Sequence, residues 1–219
     1  MTSPVSFPYK KIIWLTLFGI TMGYFEAALV VYLRALYYPG GFTFPLKIPT
    51  DFIIAVEVGR EAASVIMLLS VAWLAGKTFW QRFAYFILAF GIWDILYYVW
   101  LKVLLDWPSS MFEWDVLFLI PLPWIGPVIA PVSIAVLMIV FGIMIVRADR
   151  KGTDFRPALS SYLLGITGTV LVLYSFLYDL NATLHQAMPK PYRYELLITG
   201  NICFVAAFFI SYVKSVNAK

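Results

Sequence analysis

The sequence predicts an all-α polytopic membrane protein, with six transmembrane helices in one bundle. Three observations predict it. Of 219 residues, 62% are hydrophobic and only 13% charged, against about 45–50% and about 25% in a soluble domain. The apolar residues fall into six runs, each near the roughly 20 residues that cross a hydrocarbon core. The bases gather at the ends of those runs, where they act as topology signals.

The first run, 12–37, follows Lys10 and Lys11. Its length of about 26 residues exceeds the 7–15 of a signal h-region, so it reads as a spanning first helix that directs insertion. The loop 38–51 holds Pro39, Gly40, Gly41, Pro45 and Pro49; it cannot continue the helix and reads as an ordered cap. Helix two is expected over 52–76 and helix three over 79–105. Helix four is expected over 124–147, helix five over 157–180 and helix six over 193–214. Pro121, Pro123, Pro127 and Pro131 crowd the start of helix four. Two readings are open there: a segment 120–131 that dips into the membrane, buried in protein or lining water, or a surface loop with Pro127 near the first helical turn. Every connection is short, so residues 1–219 form a single transmembrane domain.

With the N-terminus placed in the cytoplasm, Lys10, Lys11, Lys77, Arg82, Arg147, Arg150, Lys151, Arg156, Lys214 and Lys219 lie inside, and Arg34, Lys47, Lys102, Lys190 and Arg193 outside. That excess supports both termini in the cytoplasm of a cell membrane, as in a bacterial inner membrane. The net charge of +4 is therefore no nucleic-acid footprint. The single Cys203 excludes an intrachain disulfide and a CxxC site, and the single His185 excludes a multi-histidine zinc site.

One pattern occurs twice. Gly23-Tyr24-Phe25-Glu26 precedes Val31-Tyr32-Leu33-Arg34 by the same spacing that separates Gly91-Ile92-Trp93-Asp94 from Val99-Trp100-Leu101-Lys102. It suggests a parallel duplication of two helical hairpins, 12–77 and 80–147, with helices five and six (157–214) outside it; chance matching of aromatic-rich helices is the alternative. Each copy puts a carboxylate inside the membrane, where acids are costly and kept for a reason.

Helix two carries Glu57, Arg60, Glu61 and Ser64 at i, i+3, i+4 and i+7, all on one face. They are either an internal ion-pair network that fixes packing or carboxylates that bind a cation or donor-rich ligand. Glu26 follows Gly19-xxx-Gly23 on the same face, so a neighbouring helix that approaches the glycines places the acid inside the bundle. Tyr97 and Tyr98 stand one turn beyond Asp94 as donors to it. Arg34 and Lys102 lie eight residues past their acids, about 12 Å along the helix. They are expected to snorkel to the outer headgroups or, alternatively, to hold an anionic group at a cavity mouth. His185 reads as a solvated loop residue and Asn201 as an interhelical hydrogen-bond donor.

Nearly all these charges fall in the outer half of the bundle. An outward-facing polar, acid-lined pocket explains that better than a continuous pore. Hard oxygen ligands suit magnesium, calcium or manganese; the Glu-x-x-His pairs of a di-iron bundle are absent from the sequence, and no metal site or cofactor is assigned. The first function this suggests is binding or transport of a small cationic or polar solute. The six-helix size is similar to that of the substrate-binding membrane subunits of vitamin uptake systems, in architecture only. Two others fit: a non-catalytic membrane subunit holding a quinone or lipid, and a membrane-embedded enzyme acting on lipid head groups. The expected partners are the lipid bilayer, a small polar or amphipathic ligand and other membrane subunits, with no nucleic acid.

Overall fold

A computed structural model describes residues 7–47, 50–150, 153, 155 and 157–217. Pro49, Lys151, Arg156 and Lys219, and the side chain of Arg150, lie outside the described residues. Six long helices form: α1 (Tyr9–Tyr37), α2 (Asp51–Ala75), α3 (Phe79–Leu105), α4 (Ile129–Arg150), α5 (Leu159–Leu177) and α7 (Tyr194–Asn217). A short α6 (Leu180–Leu184) extends α5. Among the described residues five spans are long and apolar enough to cross a membrane, namely α1, α3, α4, α5 with its α6 extension, and α7.

Helix ends follow local chemistry. The Thr78 hydroxyl caps α3 by accepting from the Gln81 N–H, and the Gln81 side chain reaches back to the Lys77 N–H at 2.9 Å, so one donor of the first turn and one just before the cap are satisfied. Asp106 ends α3 in the left-handed region at φ 53°, a conformation Asp tolerates better than most residues. α4 begins at Ile129, later than the expected 124, because Trp124–Pro127 is a strand. Its first N–H groups are met from the preceding loop: Val128 donates to the Glu113 carbonyl and Ile129 to the Met111 carbonyl.

α3 is central. α1 packs along one side of it and α4 along the other, both closely; α2 also rests on α3 but scarcely approaches α1. Small residues make the close contacts. A Cβ on Gly19 would lie 2.7 Å from Ile92 Cγ2, and one on Gly23 would lie 3.0 Å from the Tyr97 backbone nitrogen. α5 and α7 form a second close pair, joined to the rest through α4 and the strands. The core of Leu15, Leu68, Leu88, Ile145 and Phe208 fills the end of the bundle where α1 begins. Outward faces are apolar: Trp14, Leu36, Phe52, Leu74 and Leu159 are 72–85% exposed. Apolar residues over whole outer faces suit hydrocarbon, since soluble monomers keep such patches small. The two hairpins of the repeat pack differently, because α3 and α4 are in close contact and α1 and α2 are not.

The segment between α3 and α4 departs most from expectation. Trp114–Phe118 (β1) and Trp124–Pro127 (β2) pair antiparallel, with Asp115 opposite Gly126 and an irregularity between Val116 and Phe118. The hairpin pushes into the bundle. The Leu119 N–H donates to Glu61 Oε2 at 2.8 Å, and Glu61 is ten residues along α2 from Asp51, a depth of about 15 Å. Phe118 at its tip packs against the main core. Strand pairing satisfies the backbone groups that face between the strands, and burial in protein lets non-helical chain sit at that depth.

Tyr192, just before α7, anchors the hairpin. Its ring meets those of Phe176 and of Trp114 in β1, and its hydroxyl lies 2.8 Å from Ser175 Oγ. The Ser175 proton is spent on the Val172 carbonyl, so Tyr192 is the donor. Burial pushes the Tyr192 phenol up to about 12. Tyr192→Phe is expected to cost about 1 kcal/mol of stability, the net value of one hydrogen bond, read by thermal unfolding in detergent; no loss would mean the bond carries no net stability.

Candidate functional site: a cleft between α1 and α2

A space opens between the C-terminal half of α1 and the N-terminal half of α2, walled on the third side by the hairpin. It measures about 270 Å³. Val30 and Leu33 of α1, Ile53 and Ile54 of α2, and Val116 and Leu119 of the hairpin make its sides apolar. Two charged groups stand at different depths within it.

The deeper group is built on α2. Its i, i+3, i+4, i+7 spacing turns Glu57, Arg60, Glu61 and Ser64 toward α1 and α3 rather than toward lipid. Arg60 Nε donates to Glu57 Oε2 at 2.7 Å, and Arg60 Nη1 donates to Glu26 Oε1 across the cleft. Arg60 Nη2 stands 4.0 Å from Glu61 Oε1. Ser64 Oγ reaches Glu26 Oε2 at 3.5 Å. One guanidinium therefore serves three carboxylates. Glu26 is 8% exposed and Glu61 6%, so neither is solvated enough to stand as an ordinary surface acid.

The shallower group is built on Arg34. It does not snorkel to the headgroups; it is 7% exposed. Its Nη2 donates to Asp115 Oδ1 of β1 at 3.2 Å. The guanidinium lies over the rings of Phe42 and Trp107, which stand edge-to-face to each other, with centroids 4.2 and 3.8 Å from Cζ. An acid and two aromatic faces nearby make burial cheaper than extension to water. Lys47 stands at the rim, its backbone N–H bonded to the Tyr38 hydroxyl at 2.7 Å. Tyr97 lines the cleft between the groups, within electrostatic reach of Arg34 and Asp115 and of Glu26 and Arg60.

Of the residues singled out in the sequence, Arg34, Glu57, Arg60, Glu61 and Tyr97 line the cleft, and Glu26 closes its floor through Arg60. Asp94, Tyr98 and Lys102 do not line it. α3 meets Gly19 and Gly23 of α1 through Ile92, Trp93, Leu96 and Tyr97, so Asp94 is turned away from the Glu26 side. Among the described residues no hydrogen bond or ion pair joins Asp94 to Glu26, Glu57 or Glu61. Its charged neighbour is Asp115, and its Oδ2 is buried without a hydrogen-bond partner. Tyr98 is buried facing Asp115 rather than donating to Asp94. Lys102 points outward and pairs with Asp106 at 2.7 Å, which holds the exposed Asp106 carboxyl below the usual range. Asn201 donates to Ser133 Oγ across α7 and α4 at 3.0 Å, and His185 is exposed.

Asp115, Trp107, Phe42 and Lys47 are the site residues that the sequence reading passed over. A signal existed for Asp115: it is the one acid in Trp114–Ile120, an apolar run closed by Pro121. Among the described residues no group of three or more His, Cys, Asp and Glu side chains is placed to hold a metal ion. No protein-family model, curated protein or solved structure matches this chain.

Proposed function

We propose that this is a six-span membrane protein that binds an amphipathic, positively charged molecule in the cleft between α1 and α2. The observation that carries the reading is the charge imbalance at the floor. Glu26, Glu57 and Glu61 face one guanidinium, Arg60, in a space with otherwise apolar walls. Uncompensated charge is costly in such surroundings, and a cationic group that enters beside Glu57 and Glu61 offsets it. The apolar sides suit a hydrocarbon body, and the gap between α1 and α2 admits one sideways from the bilayer.

α2 is the sixth span on this reading. Its 25 residues measure about 37 Å, enough to cross, and its charges face inward while Phe52, Trp73 and Leu74 face out. Six spans return the chain to its starting side, with both termini cytoplasmic and the cleft toward the outside. The packed core at the cytoplasmic end supports binding from the outer leaflet over an open channel. The duplication rests on the sequence pattern alone, and binding does not require it.

The test is calorimetry on purified protein in a neutral detergent with dodecylamine, dodecanol and dodecyl sulfate. Dodecylamine is expected to bind most tightly, and Glu57→Gln and Glu61→Gln each to weaken it about tenfold, the loss of one charge-assisted contact. Equal binding of amine and alcohol, or unchanged affinity in both variants, would show that the acids do not select the ligand.

A further inference from the structure

The two charged groups in the cleft are imbalanced in opposite senses. At the floor, three carboxylates outnumber one guanidinium. Among the groups that line the mouth, Arg34 and Lys47 stand against one acid, Asp115, with Asp94 buried behind it. Glu26 and Arg34 are eight residues apart on α1, so the poles are separated by about 12 Å.

Arg34 is also under-used. A guanidinium has five N–H donors in a planar fork. Among the described residues Arg34 spends one of them, on Asp115 Oδ1. The Phe42 and Trp107 rings, 87° to each other, hold the guanidinium on two sides and offer no oxygen or nitrogen lone pair to its remaining N–H groups. The side chain is nine-tenths buried yet lines the cleft. A buried fork with idle in-plane donors, held in position by two rings, is prepared for a planar or tetrahedral oxyanion that takes two parallel hydrogen bonds.

We propose that Arg34, with Lys47 at the rim, forms an anion subsite for a carboxylate or phosphate group on the same ligand whose cationic group meets Glu57 and Glu61. The ligand is then a zwitterion with its charges on the order of 12 Å apart, by the axial rise between the poles, joined by an apolar body. An anion at the mouth takes the donors that Arg34 leaves unspent, without displacing Asp115. This rests on the cleft being a binding site, and it adds a requirement that the floor alone does not impose.

The experiment compares dodecyl phosphate, inorganic phosphate and dodecylamine on wild type, Arg34→Gln, Arg34→Lys and Lys47→Gln by calorimetry. Dodecyl phosphate is expected to bind wild type. Arg34→Gln is expected to lower the ratio of phosphate to amine affinity at least tenfold. Arg34→Lys keeps the charge and loses the fork, so it too should lose affinity for dodecyl phosphate, about fivefold, and Lys47→Gln about threefold. Competition by inorganic phosphate identifies a free anion as sufficient; binding of dodecyl phosphate alone identifies an anion that must arrive on a chain. If Arg34→Gln does not fold, the other two variants carry the comparison. No binding of dodecyl phosphate to wild type, or a ratio unmoved in every folded Arg34 and Lys47 variant, overturns the subsite. Failure of dodecylamine with intact dodecyl phosphate binding overturns the cation reading instead.

Discussion

Replacing Arg60 by methionine will destabilise the protein by about 3–5 kcal/mol, the cost of leaving a buried charge network without its partner. The side chain is 18% exposed and touches Glu57, Glu26 and Glu61. Methionine fills much of the volume, so the loss reports charge rather than a cavity. Three acids would then face one another in the cleft, and the α1–α2 connection through Glu26 would be gone. Since α2 has little other contact with α1, its N-terminal half should swing away from the bundle. Chemical unfolding in mixed micelles measures the loss, and hydrogen exchange over 51–64 locates it. A second substitution gives the sharper check. Adding Glu26→Gln to Arg60→Met removes one of the stranded charges and should recover 1 kcal/mol or more, on the order expected for coupled neighbours. Additive losses would mean that the two side chains do not act as a pair.

The second large effect is expected at Gly91. A Cβ there would lie 2.6 Å from the Ala135 carbonyl oxygen and 2.9 Å from Ile139 Cγ1. Backbone oxygen cannot rotate aside, so α3 and α4 must separate. Gly91→Ala should cost about 1–3 kcal/mol by overpacking, and Gly91→Leu more. Gly19 should be milder, because its nearest obstacle is the Ile92 side chain. Gly59 of α2 is the control: nothing stands within 4 Å of a Cβ there. Gly59→Ala is expected to stabilise the helix by up to about 1 kcal/mol, through propensity alone. Thermal unfolding of the four variants ranks them, and a Gly59 loss equal to the Gly91 loss would refute close packing as the cause.

The helices were legible because their physics is local. Runs of apolar residues near 20 long, bounded by Pro, Gly and bases, place α1, α3 and α7 within a few residues of their observed limits. The α2 face was legible too, since four polar residues at helical spacing admit one arrangement. Arg34 and Asp115 were not. Which way a long cation turns depends on what lies within its reach, and the partners of Arg34 come from 42, 107 and 115, segments that only tertiary structure gathers. Asp94 shows the converse. Its match to Glu26 is genuine in spacing, but α3 is contacted on several sides, and spacing within one helix does not say which side a residue faces. The strands were hidden by proline: Pro121 and Pro123 read as helix breakers, and the pairing between 114–118 and 124–127 depends on chain returning from a turn between them.

That hairpin has a consequence for biosynthesis. Two strands alone cannot satisfy their outer edges, and bare amide groups in hydrocarbon are costly. β2 leans on α5 and α6, and Tyr192 comes from still later in the chain. Residues 114–127 therefore leave the ribosome well before their resting place exists. They must wait at the aqueous surface until the C-terminal helices have inserted, so the cleft is completed from its end rather than from its beginning.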